Sequence, residues 1–146
     1  LATEMTLTSS LFNQTSNKFS DNIEIIEQIG FGLVNLIEKG DINTKKTKQL
    51  LKSYLDPMLD SNIDQLVLGC THYHFLVPII RKIIPKEITI QDPNKVIAKQ
   101  IKKILNRENL ENPLKNSYKN KVYVNGNTEI IKNIINSKGD VDFLDF

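Results

Sequence analysis

At 146 residues the chain can bury one real core, because chains of this size hide roughly 68–70% of the surface they would expose unfolded. Its 40% hydrophobic and 25% charged residues are an ordinary globular balance. A net charge of +2, with lysines such as Lys45, Lys46, Lys102, Lys103, Lys119 and Lys121 spread out and not interleaved with aromatics, argues against nucleic-acid binding. The single cysteine excludes an intrachain disulfide framework and a multi-cysteine metal site, and no apolar run approaches the ~20 residues that cross a bilayer. With no signal peptide visible in the first residues, the expectation is a reduced, cytoplasmic protein with no membrane partner.

In chain order, strands and helices alternate. Leu1-Ala2-Thr3 reads as the end of a strand whose start is missing, since N-termini are usually polar and loose. Residues 23–29 are a β-branched run closed by Gly30 and Gly32, which favours a strand over a helix. A short apolar stretch at 33–37 stops at Gly40. Thr44 fits the N-cap of a helix carrying Leu50, Leu51, Tyr54, Leu55, Met58 and Leu59 at helical spacing, with Asp56-Pro57 as a bending point. Residues 64–68 read as a strand and Gly69-Cys70-Thr71-His72 as a tight turn. Residues 75–84 read as a helix that tolerates Pro78 near its start, where a missing N–H costs little. A strand is expected at 88–90. Asp92-Pro93, an N-cap followed by the favoured first-turn residue, opens a helix through Leu105. A polar linker at 106–120, a strand at 121–125, a helix at 127–136 and a short strand at 141–144 complete the chain. Such alternation implies an α/β fold with a mostly parallel sheet flanked by helices.

The turn around Cys70 carries the chemistry. It sits just past the carboxyl end of a buried strand and before a helix, where ligands bind in open α/β sheets. Backbone N–H groups at a helix start bind anions and favour a thiolate. Gly69 permits close approach, Thr71 offers a hydroxyl, and His72 offers an imidazole two residues from the sulfur. The competing reading is a cysteine that merely packs as a small hydrophobe. His74 reads as a surface or helix-start histidine, and a His72-x-His74 zinc site lacks a third ligand.

The string Leu66-Val67-Leu68-Gly69-Cys70-Thr71-His72-Tyr73 resembles the second cysteine motif of glutamate racemases. Further segments are similar in family order and spacing: Leu1-Ala2-Thr3-Glu4-Met5-Thr6 with Ser9-Ser10, Leu36-Ile37-Glu38-Lys39-Gly40, Tyr54-Leu55-Asp56-Pro57-Met58-Leu59, Ile88-Thr89-Ile90-Gln91-Asp92 and Val122-Tyr123-Val124-Asn125-Gly126-Asn127. The family has two pseudo-symmetric α/β lobes, each contributing one cysteine to a site between them. The resemblance therefore implies a second lobe at residues 1–92 and, at 93–146, a C-terminal return segment that completes a first lobe absent from this sequence. It implies an isomerase that interconverts L- and D-glutamate for peptidoglycan by two-base chemistry, without cofactor or metal. On that reading Cys70 is base for one enantiomer and acid for the other, and His72 assists its proton transfers. Thr71, with Thr3 and Thr6, binds a substrate carboxylate, and Glu38 lies near the pocket. The implied partners are glutamate, the missing N-terminal lobe and, for the full-length enzyme, a second copy.

One cysteine cannot supply both bases, so the expectation is a truncated or split reading frame, or a cut piece of a longer chain, inactive alone. Poor solubility is expected too, because the apolar faces Val96-Ile97-Ile101-Ile104 and Ile130-Ile131-Ile134-Ile135 would lack a packing partner. Met5, Gly30-Phe31-Gly32, His74 (where proline is common) and Pro93 (where serine is common) depart from the family pattern and leave the pocket's shape open. The alternatives are a sister racemase for aspartate or a hydantoin, and an inactive remnant. A cysteine hydrolase would need His72 oriented by a third polar group and an oxyanion hole, neither visible in the sequence.

Overall fold

The computed structural model describes residues 1–112, 121–135 and 140–146. Its central layer is built from extended backbone running in one direction. β1 (Gln65–Val67) pairs in parallel with β2 (Thr89–Gln91), in the register Leu66 with Ile90. On the other side of β1, Ala2 bridges in parallel to both Gly69 and Ile29. The hydrogen bonds Ala2 N–H to Gln28 O (3.0 Å), Gly30 N–H to Ala2 O (2.9 Å) and Gly69 N–H to Leu1 O (2.9 Å) hold this order. The expected α/β fold with a parallel sheet is therefore observed.

Residues 23–29 do not form the expected strand; only Ile29 pairs. The reason is local. Its neighbour contributes just Ala2 before Thr3 turns the chain into the short helix α1 (Glu4–Leu7), so no ladder has a second rung. Ser9 then caps α2 (Ser10–Phe19), its hydroxyl accepting from Phe12 N–H at 3.1 Å. This helix is not legible from periodicity because its ten residues hold just three apolar side chains, Leu11, Phe12 and Phe19, and none of them is buried.

Helices α3 (Leu33–Glu38) and α4 (Lys45–Asp60) cover one face of the sheet. Thr44 caps α4 as expected, accepting from Thr47 N–H at 3.2 Å, and the buried Thr47 hydroxyl donates to Asp41 O at 2.6 Å. The helix continues through Pro57 to Asp60. Leu33, Ile37, Leu51, Leu55 and Met58 pack on Leu66 and Leu68 of the β1 segment and on Tyr73, Leu76 and Ile80 that follow it. On the opposite face of the sheet Val67 stays exposed.

The helix expected at 75–84 is displaced. A 3-10 helix, Thr71–Leu76, begins directly after Cys70 and runs into α5 (Val77–Ile80). Pro78 has no N–H to give to His74 O, so the chain winds tightly up to it, and beyond Ile80 the bonds Lys82 N–H to Ile79 O and Ile83 N–H to Ile80 O tighten again before Pro85. Asp92 caps α6 (Pro93–Arg107), its carboxylate accepting from Asn94 N–H at 3.1 Å. β3 (Lys121–Val124) and β4 (Asp140–Phe143) form a second parallel pair, with α7 (Thr128–Ile135) between them. Of the polar linker read at 106–120, residues 113–120 lie outside the described residues, as does Asn136, the expected end of α7. The apolar residues of α6, Val96, Ile97, Ile101 and Ile104, are exposed, whereas Ile130, Ile131 and Ile134 of α7 are half-buried and Ile134 touches the main core.

Candidate active site

Cys70 stands where the strand ends and the 3-10 helix begins, with extended backbone (φ −152°, ψ 135°) and a half-buried side chain. Gly69 makes the position possible. A Cβ there would lie 2.7 Å from Ala2 Cβ, so only glycine lets the neighbouring strand come this close. Two residues on, the turn of 3-10 helix swings His72 back over the sulfur, with Cys70 Sγ 3.9 Å from His72 Nδ1. The other ring nitrogen, Nε2, lies 3.4 Å from Glu38 Oε1, at the end of α3. An ionised carboxylate only accepts, so Nε2–H directed at Glu38 leaves Nδ1 facing the sulfur, where it can take or return the thiol's proton. The result is a thiol–imidazole–carboxylate series.

The threonine loop is fastened to the same turn. Thr3 Oγ1 and Thr6 Oγ1 share a hydrogen bond of 2.9 Å, and Thr6 Oγ1 donates to Gly69 O at 3.1 Å. Thr3, Thr6, Cys70 and Thr71 thus line one cleft of about 540 Å³, closed on its far side by Gln91, Asp92, Pro93 and Val96. His72 and Glu38 are not among its lining residues; Glu38, expected near the pocket, contacts His72. A second cavity of about 560 Å³, bordered by Leu7, Phe12, Ile23, Ile25, Met58 and Ile63, does not reach Cys70.

Two neighbours shape the site's electrostatics. Tyr73 is fully buried behind the cysteine and donates to Gly30 O at 3.0 Å. Burial first, then the nearby Cys70 and Tyr54, push its phenol well above the ordinary tyrosine range, so it stays neutral and structural. Burial acts to raise the Asp92 carboxyl. The hydrogen bonds from His74 and from Asn94 N–H, with the charges of His74 and Lys95, outweigh it and hold Asp92 below its usual range. Sequence reasoning placed Asp92 only as a helix cap. Its position at the carboxyl end of β2, beside β1, was the signal that it borders the same cleft as Cys70. Among the described residues no cluster of three or more His, Cys, Asp and Glu side chains could hold a metal ion, and no helix is long and apolar enough to cross a membrane.

The arrangement is that of an α/β lobe presenting a half-buried thiol at the carboxyl end of a parallel strand. The fold is shared with solved glutamate racemases. It matches that of Bacillus anthracis with a TM-score of 0.80 over 99% of this chain and 56% of the other, at 22% identity. It matches that of Escherichia coli, solved with L-glutamate and the activator UDP-MurNAc-ala, with a TM-score of 0.77, 98% and 56% coverage, and 21% identity. Among curated relatives, the glutamate racemase of Pseudomonas syringae is 38% identical over 110 residues, covering 75% of this chain and 40% of that one. The glutamate racemase of Ralstonia pickettii is 43% identical over 105 residues, covering 72% and 37%. No protein-family model matches the chain. The chain is homologous to glutamate racemases and spans about two-fifths of the length of these curated relatives. Glu38 does supply the third polar group that a cysteine hydrolase would need, but every relative named here is a racemase.

Proposed function

We propose that this chain supplies one half of a glutamate racemase site, with Cys70 as one of the two proton-transfer bases. The observation that carries the reading is the Cys70–His72–Glu38 series at the edge of a cleft whose wall holds Thr3, Thr6 and Thr71. In the forward step the Cys70 thiolate takes the α-proton of one glutamate enantiomer, becoming a thiol and leaving the electron pair on the α-carbon. A second thiol on the opposite face then donates its proton to that carbon. His72 holds or returns the Cys70 proton through Nδ1, and Glu38 keeps the ring turned. The Thr71 hydroxyl donates to the substrate carboxylate, where negative charge accumulates as the proton leaves, and Thr3 and Thr6 join it by turning their hydroxyl protons away from Thr6 Oγ1 and Gly69 O. The solved complex of the E. coli relative with L-glutamate supports this substrate.

The second base must come from elsewhere, because this sequence has one cysteine. Residues 1–92 act as the lobe that bears Cys70, and residues 93–146 as the return segment that packs with a lobe carrying the partner thiol. The chain's partner is therefore the N-terminal part of a glutamate racemase, in the cytoplasm, and the completed enzyme pairs with a second copy. Alone, the chain has no turnover. The test is co-expression with the N-terminal part of the P. syringae relative, followed by polarimetry of L-glutamate. Racemisation that appears only in the mixture and disappears in Cys70→Ala supports the reading. Activity of the chain alone, or activity surviving in Cys70→Ala, overturns it.

A further inference from the structure

We propose that His74 and Asp92 are positioning residues, a latch that fixes the start of α6 against the 3-10 helix after Cys70 and so sets the part of the cleft wall formed by Pro93 and Val96. His74 Nδ1 lies 2.5 Å from Asp92 Oδ2, while Asp92 Oδ1 accepts from Asn94 N–H at 3.1 Å. One carboxylate therefore grips the 3-10 helix after Cys70 and the first turn of α6 together. Its side chain is only 10% exposed, so water competes poorly for either oxygen. Among the described residues no other side-chain hydrogen bond ties α6 to the sheet or to the 3-10 helix. Packing holds the helix only weakly, because Val96, Ile97 and Ile101 are exposed, although α6 meets the 3-10 helix. Pro93 and Val96, at its start, line the same cleft as Cys70 and Thr71. The pair is thus the polar tie that sets this part of the cleft wall. His74 also packs edge-on against Phe75, with ring centroids 5.6 Å apart, which leaves Nδ1 presented to Asp92.

The inference rests on reading α6 as the first element of the segment 93–146, but its test needs no turnover. Cys70 is the chain's sole thiol, so its alkylation by iodoacetamide reports the cleft directly. Measured on the full chain at one pH, His74→Phe keeps a ring but loses the donor, and His74→Asn restores an N–H donor at the δ position. Losing a charge-assisted bond predicts alkylation at least about threefold faster in His74→Phe, with His74→Asn within about 1.5-fold of the unaltered chain. Equal rates in His74→Phe and the unaltered chain overturn the latch. So do equally fast Phe and Asn variants, which would mark His74 as a packing residue. Should His74→Phe not fold, amide exchange in the unaltered chain decides. The latch predicts Asn94 N–H protected at least about tenfold over a free amide, and free exchange overturns it. A racemase reading that failed would leave these rates as predicted, so the two ideas fail separately.

Discussion

Replacing Gly69 by alanine tests whether the close approach beside Cys70 is a structural requirement. The new Cβ would sit 2.7 Å from Ala2 Cβ and 3.6 Å from both Ala2 Cα and Thr6 Cγ2. Carbon atoms prefer about 3.5–4.0 Å, so the two backbones must separate by roughly 1 Å. That stretches the Gly69 N–H to Leu1 O bond, now 2.9 Å, and the Thr6 hydroxyl bond to Gly69 O, now 3.1 Å. Overpacking of this kind costs about 1–3 kcal/mol. At about 3 °C per kcal/mol for a chain of this size, the expected fall in Tm is about 6 °C. Gly126→Ala is the control, since a Cβ there meets nothing within 4 Å, and its Tm should stay within about 1 °C. The assay is thermal unfolding followed by circular dichroism, with the Cys70 alkylation rate as a second readout. A Gly69→Ala protein that melts and alkylates like the unaltered chain refutes the reasoning.

Tyr73→Phe removes the donor to Gly30 O and should cost about 1–2 kcal/mol in urea unfolding, because a buried carbonyl loses a partner. The Asp92 carboxyl is depressed by its partners in the folded state, so its contribution is present above the ordinary carboxylate value of about 3.9 and is lost as pH falls below it. Chemical denaturation between about pH 5 and pH 2 should therefore show a decline that Asp92→Asn flattens, with His74 and Lys95 as the charged groups facing it and Cys70 across the cleft. The exposed Val96, Ile97 and Ile101 predict that the chain alone self-associates as its concentration is raised, and elutes as a defined complex when co-expressed with an N-terminal racemase part. In that complex Glu38→Gln should lower kcat about 10-fold or more by releasing the imidazole orientation, with little change in KM.

Local signals were legible where a side chain acts on its own backbone. Thr44 and Asp92 each announced a helix start by residue type and spacing, and both hydroxyl and carboxylate accept the expected N–H groups. Cys70 was legible from the Leu66-Val67-Leu68 run ending in glycine, which places the thiol at the carboxyl end of a strand, although that strand is buried on one face only. Features set by partners distant in the chain were not. Residues 23–29 have strand composition, but their neighbour supplies a single residue, and pairing requires two sides. α2 has Leu11, Phe12 and Phe19 as its apolar residues, too few to mark its period. Glu38 on His72 and His74 on Asp92 are contacts across 34 and 18 residues, which sequence spacing does not encode. The winding of residues 71–76 follows from Pro78, whose effect falls on the preceding turn as much as on its own position.

The most direct measurement is solvent-deuterium exchange at the α-carbon of each glutamate enantiomer, in heavy water, using the complex of Cys70→Ala with an N-terminal racemase part. If Cys70 serves one face only, the remaining thiol should exchange the α-proton of a single enantiomer, with no interconversion. Exchange into both enantiomers, or racemisation that continues without the sulfur of Cys70, would contradict the account.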